Sequence, residues 1–315
     1  MRVLLLVNAS ASSVTPRTRV VIAKALAADH EVEVAETSRR GHATRLAQGA
    51  AADGVGCVVV LGGDGTLNEA ANGLAGTSTA LGVLPGGSTN VFARTIGMAN
   101  EPIEATGQLL AAMANGSIER VDLGSVNGRY FLFHVGMGFD AAVVEQVEKR
   151  SSLKRYAGHP LFVYAAFATW FRHFDRSRPR VAVDVAVAEG RQDRQGQQVV
   201  DDGYLAICLN TNPYTFLGNR PLDVAPDAGL DRPLVMVTVR TMSLVGMLSV
   251  AASALGFGAP LRRHRRVSYQ PGVSSAVVSG HGPFPYQVDG DFLGETERLV
   301  FRHEPRVLGI VMPAV

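Results

Sequence analysis

Residues 58–90 read VVVLGGDGTLNEAANGLAGTSTALGVLPGGSTN, and their order sets the fold. A continuous apolar run, 58–61, breaks into Gly62-Gly63-Asp64-Gly65-Thr66, and residues 67–74 resume at helical spacing. Strand, glycine turn and helix therefore follow one another. That order leaves backbone N–H groups open at a helix N-terminus and lets the main chain approach a ligand closely, the physical requirement for holding phosphate. A second copy follows, where 81–84 reads as a short strand running into Pro85-Gly86-Gly87-Ser88-Thr89-Asn90 and a helix from Val91.

The flanking sequence extends the same alternation. Residues 3–7 read as a first strand, continuous and apolar as a parallel strand covered on both faces must be, ending in Asn8-Ala9-Ser10-Ala11-Ser12. A helix is expected over 16–28, a strand over 31–35, helices over 43–52 and 103–115, and Thr37 falls just after the second strand. Strand alternating with helix predicts a doubly wound α/β domain over residues 1–122, with its ligand loops at the carboxyl ends of the strands.

The texture changes at Arg120. Residues 121–126 and 130–135 flank Asn127-Gly128, a type I′ hairpin signal, and short strands follow over 181–188, 204–209, 234–239, 275–278, 285–289 and 298–302. These predict a second, mainly antiparallel domain over 123–303, sandwich-like or a flattened barrel, with helices over 141–149 and 160–173. The apolar tail within 304–315 reads as a strand returning to the first domain. The fold class is thus α/β plus mainly β.

Composition narrows the function classes. The chain has 315 residues, 47% hydrophobic and 18% charged, with net charge +2, which gives no field strong enough to suggest a nucleic-acid partner. Cys57 and Cys208 lie inside apolar runs and read as reduced core residues, which fits a cytosolic compartment. Residues 241–261 carry no charge, but Ser243, Gly246, Ser249, Ser253 and Gly256 form a small, weakly polar stripe opposite Leu244, Leu248 and Leu255, a pattern of an amphipathic helix rather than a membrane span.

The chemistry has to come from the turns. Neither G-x-x-x-x-G-K-[ST] nor G-x-G-x-x-G occurs, so the glycine turn is neither a P-loop nor a dinucleotide fingerprint. A tight turn alone explains the glycines but leaves Asp64 without a purpose. A carboxylate among phosphate-binding amides repels the ligand unless a cation, usually Mg²⁺, lies between them. Asp289-Gly290-Asp291 taken alone reads as a solvated hairpin turn.

The Gly-Gly-Asp-Gly-Thr turn, with the rest of 58–90, closely resembles the catalytic domain of diacylglycerol kinases and bacterial lipid kinases; NAD kinases are more distant kin. Asn8 to Ser12 resembles the family's first nucleotide loop, with Ala9 in place of its proline and Ser12 in place of its glycine. Thr37 stands where the family has a nucleotide-site threonine. The resemblance implies ATP binding by these residues, by Gly62, Gly63, Asp64, Gly65, Thr66 and the adjoining Leu67, Asn68 and Glu69, and by Gly87, Ser88, Thr89 and Asn90. In the second half, 226–231 resembles a segment whose aspartate and neighbouring carbonyls hold a structural Mg²⁺; Asp231, Ala228 and Pro233 would be its ligands here, although Arg232 and Pro233 depart from the pattern. Val288-Asp289-Gly290-Asp291 resembles the family's Val-Asp-Gly-Glu, whose glutamate is the proton acceptor. The resemblance thus assigns catalysis to Asp291, one methylene shorter, with Asp64 and Asp289.

The implied activity is an ATP- and Mg²⁺-dependent lipid kinase acting on a hydroxyl, most readily converting diacylglycerol to phosphatidic acid. A membrane surface is then a partner: Lys149-Arg150, Lys154-Arg155 and the run Leu161, Phe162, Tyr164, Phe167, Trp170, Phe171 set basic beside apolar residues, and 262–266 reads Arg-Arg-His-Arg-Arg. Basic clusters attract anionic headgroups at about 1 kcal/mol per charge. The expected location is cytoplasmic, peripheral to the inner face of the cell membrane, and a homodimer is a fair prior. Two other readings stand beside this one: an NAD kinase, and a nucleotide- or lipid-binding module without catalysis.

Overall fold

The computed structural model describes residues 1–149, 168–169, 175, 177–187, 198–257 and 259–313. The helix expected over 160–173 and the residues Arg150, Lys154, Arg155, Leu161, Phe162, Tyr164, Phe167, Trp170 and Phe171 lie outside these. The chain divides into two compact units, Met1–Leu123 with Pro305–Val315, and Gly124–Glu304.

In the first unit β1 (Arg2–Val7), β3 (Cys57–Gly62) and β4 (Ala80–Pro85) run parallel and are buried on both faces, apart from Arg2. That is why their sequences are continuously apolar rather than alternating. β2 (Glu31–Glu36) lies parallel at the outer edge of β1, and its glutamates face solvent, which blunts an otherwise open edge. Helices α1 (Pro16–Ala27), α2 (His42–Ala52), α3 (Asp64–Leu74), α4 (Val91–Thr95) and α5 (Pro102–Ala114) alternate with the strands; α2 packs on α3 and α1 on α5. Thr15 caps α1 and Glu101 caps α5, each followed by a proline whose missing N–H goes unneeded in a first turn. The strand order β2–β1–β3–β4 reverses direction between β1 and β3. In doubly wound sheets that reversal opens a crevice at the carboxyl ends of the strands, where ligands bind.

The second unit is mainly antiparallel. β5 (Ile118–Val126), which begins in the first unit, turns through Asn127 and Gly128, both at positive φ, into β6 (Arg129–Phe131), as the type I′ signal requires. β7 (His134–Gly138) leads into α6 (Phe139–Glu148). Then come β8 (Val181–Val187), β9 (Gln198–Gly203), β10 (Leu205–Leu209), the small hairpin β11 (Thr215–Leu217) and β12 (Arg220–Leu222), β13 (Leu234–Val239) and α7 (Leu244–Ala254). Two long strands finish the chain, β14 (Val267–Val288) and β15 (Asp291–Val311). β14 pairs with β13 at its start and β7 at its end, while β10 joins β13 to β7, so these four strands close on themselves.

Alternation along β10 and β13 shows where the core sits. Ala206, Cys208, Leu234 and Met236 join Phe131, Phe284 and Phe301 in an inner core, whereas Leu205, Ile207, Leu209, Val235 and Val237 pack outward against Phe139, Val224 and Ala254. Both cysteines are buried and unpaired, and burial raises the Cys57 thiol to about 12. The last residues of β15 belong to the first unit, where Gly309 and Ile310 pair in parallel with Ala80 and Leu81. Among the described residues no helix is long and apolar enough to cross a membrane.

Candidate functional site

Four loops at the carboxyl edge of the first unit are tied together by main-chain bonds. Thr37 N–H donates to the Val7 carbonyl, Asn8 N–H to Leu61 O, Gly86 N–H to Gly62 O and Ser13 N–H to Gly86 O, all at 2.8–3.0 Å. Side chains reinforce the set: Asn8 Nδ2 donates to Thr66 Oγ1 at 2.8 Å, and Asn8 Oδ1 accepts from Ser10 N–H at 3.0 Å. The two glycine turns touch backbone to backbone. A Cβ on Gly86 would lie 2.8 Å from Gly62 Cα, and one on Gly87 would lie 2.9 Å from Gly63 Cα, so no side chain fits at either position. Gly63, the N-cap of α3, offers no side-chain acceptor to the first-turn amides. Asn90, at positive φ, closes the second turn: its Oδ1 accepts from Gly87 N–H at 2.7 Å. Ser10, Ser12 and Ser88 are exposed on this edge and Thr89 is half-buried.

Asp64 has a different neighbourhood from the one its sequence suggested. Its Oδ2 and Oδ1 accept the N–H groups of Val91 and Phe92, each at 3.1 Å, so the carboxylate caps α4 and fastens it to the start of α3. The amides that answer its charge are protein amides, and that removes the argument that a cation must lie beside it. Three neighbours expected at the nucleotide turn inward. Leu67 and Asn68 are buried, and Glu69 accepts from Gly41 and Ala43 N–H at 2.8 and 3.1 Å, capping α2 where glycine cannot.

In the second unit, Asp289 and Asp291 are two residues apart and serve different ends. Asp289 is 3% exposed; its carboxylate accepts from the N–H groups of Leu132, Phe133 and His134 at 2.7, 3.0 and 3.0 Å. This pull breaks the run 130–135, read from the sequence as one strand, into β6 and β7. Asp289 thus anchors residues 132–134 to the turn that carries Asp291. Asp291 is half-buried at the head of β15.

A part-buried network behind this turn was missed by the sequence reading. Gly290 N–H donates to Gln287 Oε1 at 2.8 Å, Gln287 Nε2 donates to Asp140 Oδ2 at 3.0 Å, and Tyr214 hydroxyl donates to Asp140 Oδ1 at 2.6 Å. Burial raises the Asp140 carboxyl, partly offset by these two donors; burial, then the Asp140 charge, pushes the Tyr214 phenol well above its ordinary range. The available signal was Gly136: a Cβ there would overlap the Asp140 carboxylate, so a glycine inside an apolar strand followed by a lone Asp marked a polar core site.

His134 stacks on Tyr214 with ring centroids 4.2 Å apart, and its buried Nδ1 has no hydrogen-bond partner among the described residues. Burial lowers its pKa from 6.5 to about 3. Between those values the unfolded chain binds a proton that the folded chain refuses, so stability falls as pH drops below 6.5, by up to about 1.4 kcal/mol per pH unit. His134→Phe, which keeps the ring, should flatten the urea-midpoint profile between pH 7 and pH 4 by one proton. An unchanged profile would show that His134 titrates normally.

The loop expected to hold Mg²⁺ brings no cluster of carboxylates together among the described residues. The Asp231 side chain is 78% exposed and its Oδ1 faces Arg232 Nε at 3.2 Å, a cation where a second donor would be needed; nearby, Asp227 Oδ2 accepts from the Tyr269 hydroxyl. Ala228 N–H closes a turn on Ala225 O. Among the described residues no three His, Cys, Asp or Glu side chains cluster as a metal site.

The chain is similar to known proteins in sequence and in fold. The family model described as the diacylglycerol kinase catalytic domain matches residues 2–126. A YegS-like protein from Chromohalobacter salexigens, described as a probable lipid kinase, is 31% identical over 216 residues, covering 63% of this chain and 68% of that one. A diacylglycerol kinase from Bacillus subtilis is 40% identical over 122 residues, which is 38% of this chain and 39% of its own length. In fold, a crystal structure of a diacylglycerol kinase from Bacillus anthracis superimposes with a TM-score of 0.69 at 22% identity, covering 99% of this chain and 96% of that one.

Proposed function

The chain belongs to the diacylglycerol kinase and bacterial lipid kinase family, and from that premise we propose that this lipid kinase transfers the γ-phosphoryl group of ATP to the free hydroxyl of diacylglycerol, giving phosphatidic acid. The observation that carries the reading is the contact between the glycine turns, Gly62-Gly63 against Gly86-Gly87, beside an uncapped helix end. ATP enters with Mg²⁺ as its substrate complex.

Phosphoryl transfer runs through a loose transition state, so the protein contributes position and charge rather than covalent chemistry. The first-turn amides of α3 and the Gly87 turn hold the phosphates, with Asn8, Ser10, Ser12, Thr37, Ser88 and Thr89 as polar contacts around them. Asp64 acts as a positioning residue by fixing α3 to α4. The acceptor oxygen forms a bond to the γ-phosphorus, the bond from that phosphorus to the β-bridging oxygen breaks, ADP leaves, and the hydroxyl proton passes to the Asp291 carboxylate. Because the acceptor resides in a membrane, the same reading puts the protein at the inner face of the cell membrane as a peripheral enzyme.

The test follows γ-labelled phosphate from Mg·ATP into mixed micelles of diacylglycerol, ceramide, a sphingoid base or phosphatidylglycerol, with NAD in parallel. Diacylglycerol is expected to take the label, and NAD is expected to take none. Label in another lipid would change the acceptor, whereas label only in NAD, or none while ATP still binds, would overturn the reading.

A further inference from the structure

α7 is oriented against the usual rule for a helix on a protein surface. None of its eleven residues is charged, and the residues it buries are small, Gly246 and Ala254, with Met247 and Val250 half-buried against the outer core. The large side chains Leu244, Val245 and Leu248 face outward, Val245 being 74% exposed, and Phe257 beyond the helix end is 58% exposed. An outward helix face in water is ordinarily polar, and a contiguous apolar patch marks a surface that meets something apolar.

The charges beside the patch say what that is. Arg262, Arg263, Arg265 and Arg266 are exposed, and among the described residues none of the four is paired with a carboxylate. They are fastened along α7: His264 Nε2 lies 2.9 Å from Ser249 Oγ, and Arg266 Nη1 lies 3.4 Å from Ser243 Oγ. On the other side Arg220 sits over the Phe257 ring, 4.7 Å from its centroid. A second copy of the chain seated here by two-fold symmetry would bring like clusters of arginine together, which opposes association. A bilayer with anionic headgroups satisfies both parts of the patch at once.

We propose that this patch is the membrane-docking face of the protein, Leu244, Val245, Leu248 and Phe257 entering the headgroup–acyl boundary while the arginines of 262–266 hold the phosphate groups of anionic phospholipids. The membrane-borne acceptor proposed above supplies the purpose of this face, but its geometry stands without that reading.

Co-sedimentation of the full chain with vesicles tests it, using phosphatidylcholine alone or mixed with phosphatidylglycerol. The protein should pellet with the mixed vesicles and stay in solution with phosphatidylcholine. Replacing Leu244, Val245 and Leu248 together by serine should weaken the partition at least tenfold. Replacing Arg262, Arg263 and Arg265 by glutamine should abolish the anionic preference, at about fivefold per charge. All six sites are exposed, and an unchanged thermal unfolding midpoint confirms that the variants fold. Phosphorylation of a short-chain, water-dispersed diacylglycerol should be the same in both variants as in the parent. Failure of the parent to bind anionic vesicles, or binding that neither variant alters, overturns the docking face. A parent that sediments as a dimer which the serine variant dissociates would assign the patch to a second copy instead. Vesicle binding without any phosphorylation of the short-chain lipid would remove diacylglycerol as the acceptor and leave the docking face intact.

Discussion

Asp291→Asn should lower kcat for lipid phosphorylation by about 10²–10⁴-fold, with the ATP affinity and the unfolding midpoint left within error of the parent. The size follows from what a well-placed proton acceptor contributes, and the selectivity follows from where Asp291 sits. Its carboxylate is half-buried at the head of β15, directly after Gly290, whose N–H is fixed by Gln287 and through it by Asp140. The turn is thus held from behind by groups that the substitution leaves in place, and asparagine keeps the shape while losing the basic oxygen. A loss confined to kcat is what removal of a proton acceptor produces; a rise in KM alone would mean that Asp291 only binds the acceptor. Asp291→Glu restores the residue that the family resemblance has at this position, and it should keep activity within a few-fold. If Asp291→Asn retains a third of the parental rate, the proton leaves by another route and the catalytic role of this residue is lost.

The legibility of this chain follows the range of the interactions involved. β1, β3, β4, β10 and β13 were readable because two-sided burial writes itself as an unbroken apolar run, and the Asn127-Gly128 turn because positive φ limits which residues fit. The two glycine turns were readable because such turns are local. The destinations of the carboxylates were not. Asp64 reaches residues 27 and 28 positions away, Glu69 reaches Gly41, and Asp289 reaches residues more than 150 positions upstream. No window of sequence contains both partners, so each acid looked available for a ligand. Strand lengths failed for a related reason. The run 275–278 and all of 285–289 but its last residue are parts of β14, joined across the register shift at Ser279/Phe284, whose intervening residues read as a loop. The amphipathic pattern of α7 did not say which face meets water, and the structure turns Leu244 and Leu248 outward.

Asp289→Ala should have a larger effect on stability than any other single substitution in the turn, and almost none of it should resemble the effect at Asp291. Removing this carboxylate leaves three buried N–H groups, those of Leu132, Phe133 and His134, without an acceptor. Each orphaned donor costs about 1–3 kcal/mol at a site where Asp289 itself is 3% exposed. Asp289 also has φ of +49, a conformation aspartate tolerates and alanine resists by about 1–2 kcal/mol. The sum, about 4–11 kcal/mol, is comparable with the whole stability of a domain, so the second unit should lose its fold or survive only at low denaturant. Asp289→Asn separates the terms: it keeps one acceptor oxygen and the turn conformation, and should lie between the parent and alanine. Urea unfolding followed by far-ultraviolet circular dichroism measures this, with Asp291→Ala as the neighbouring control expected within about 1 kcal/mol of the parent. Should Asp289→Ala unfold within 1 kcal/mol of the parent, the three amides must find other acceptors, and Asp289 would return as a candidate for the chemistry rather than for the architecture that presents it.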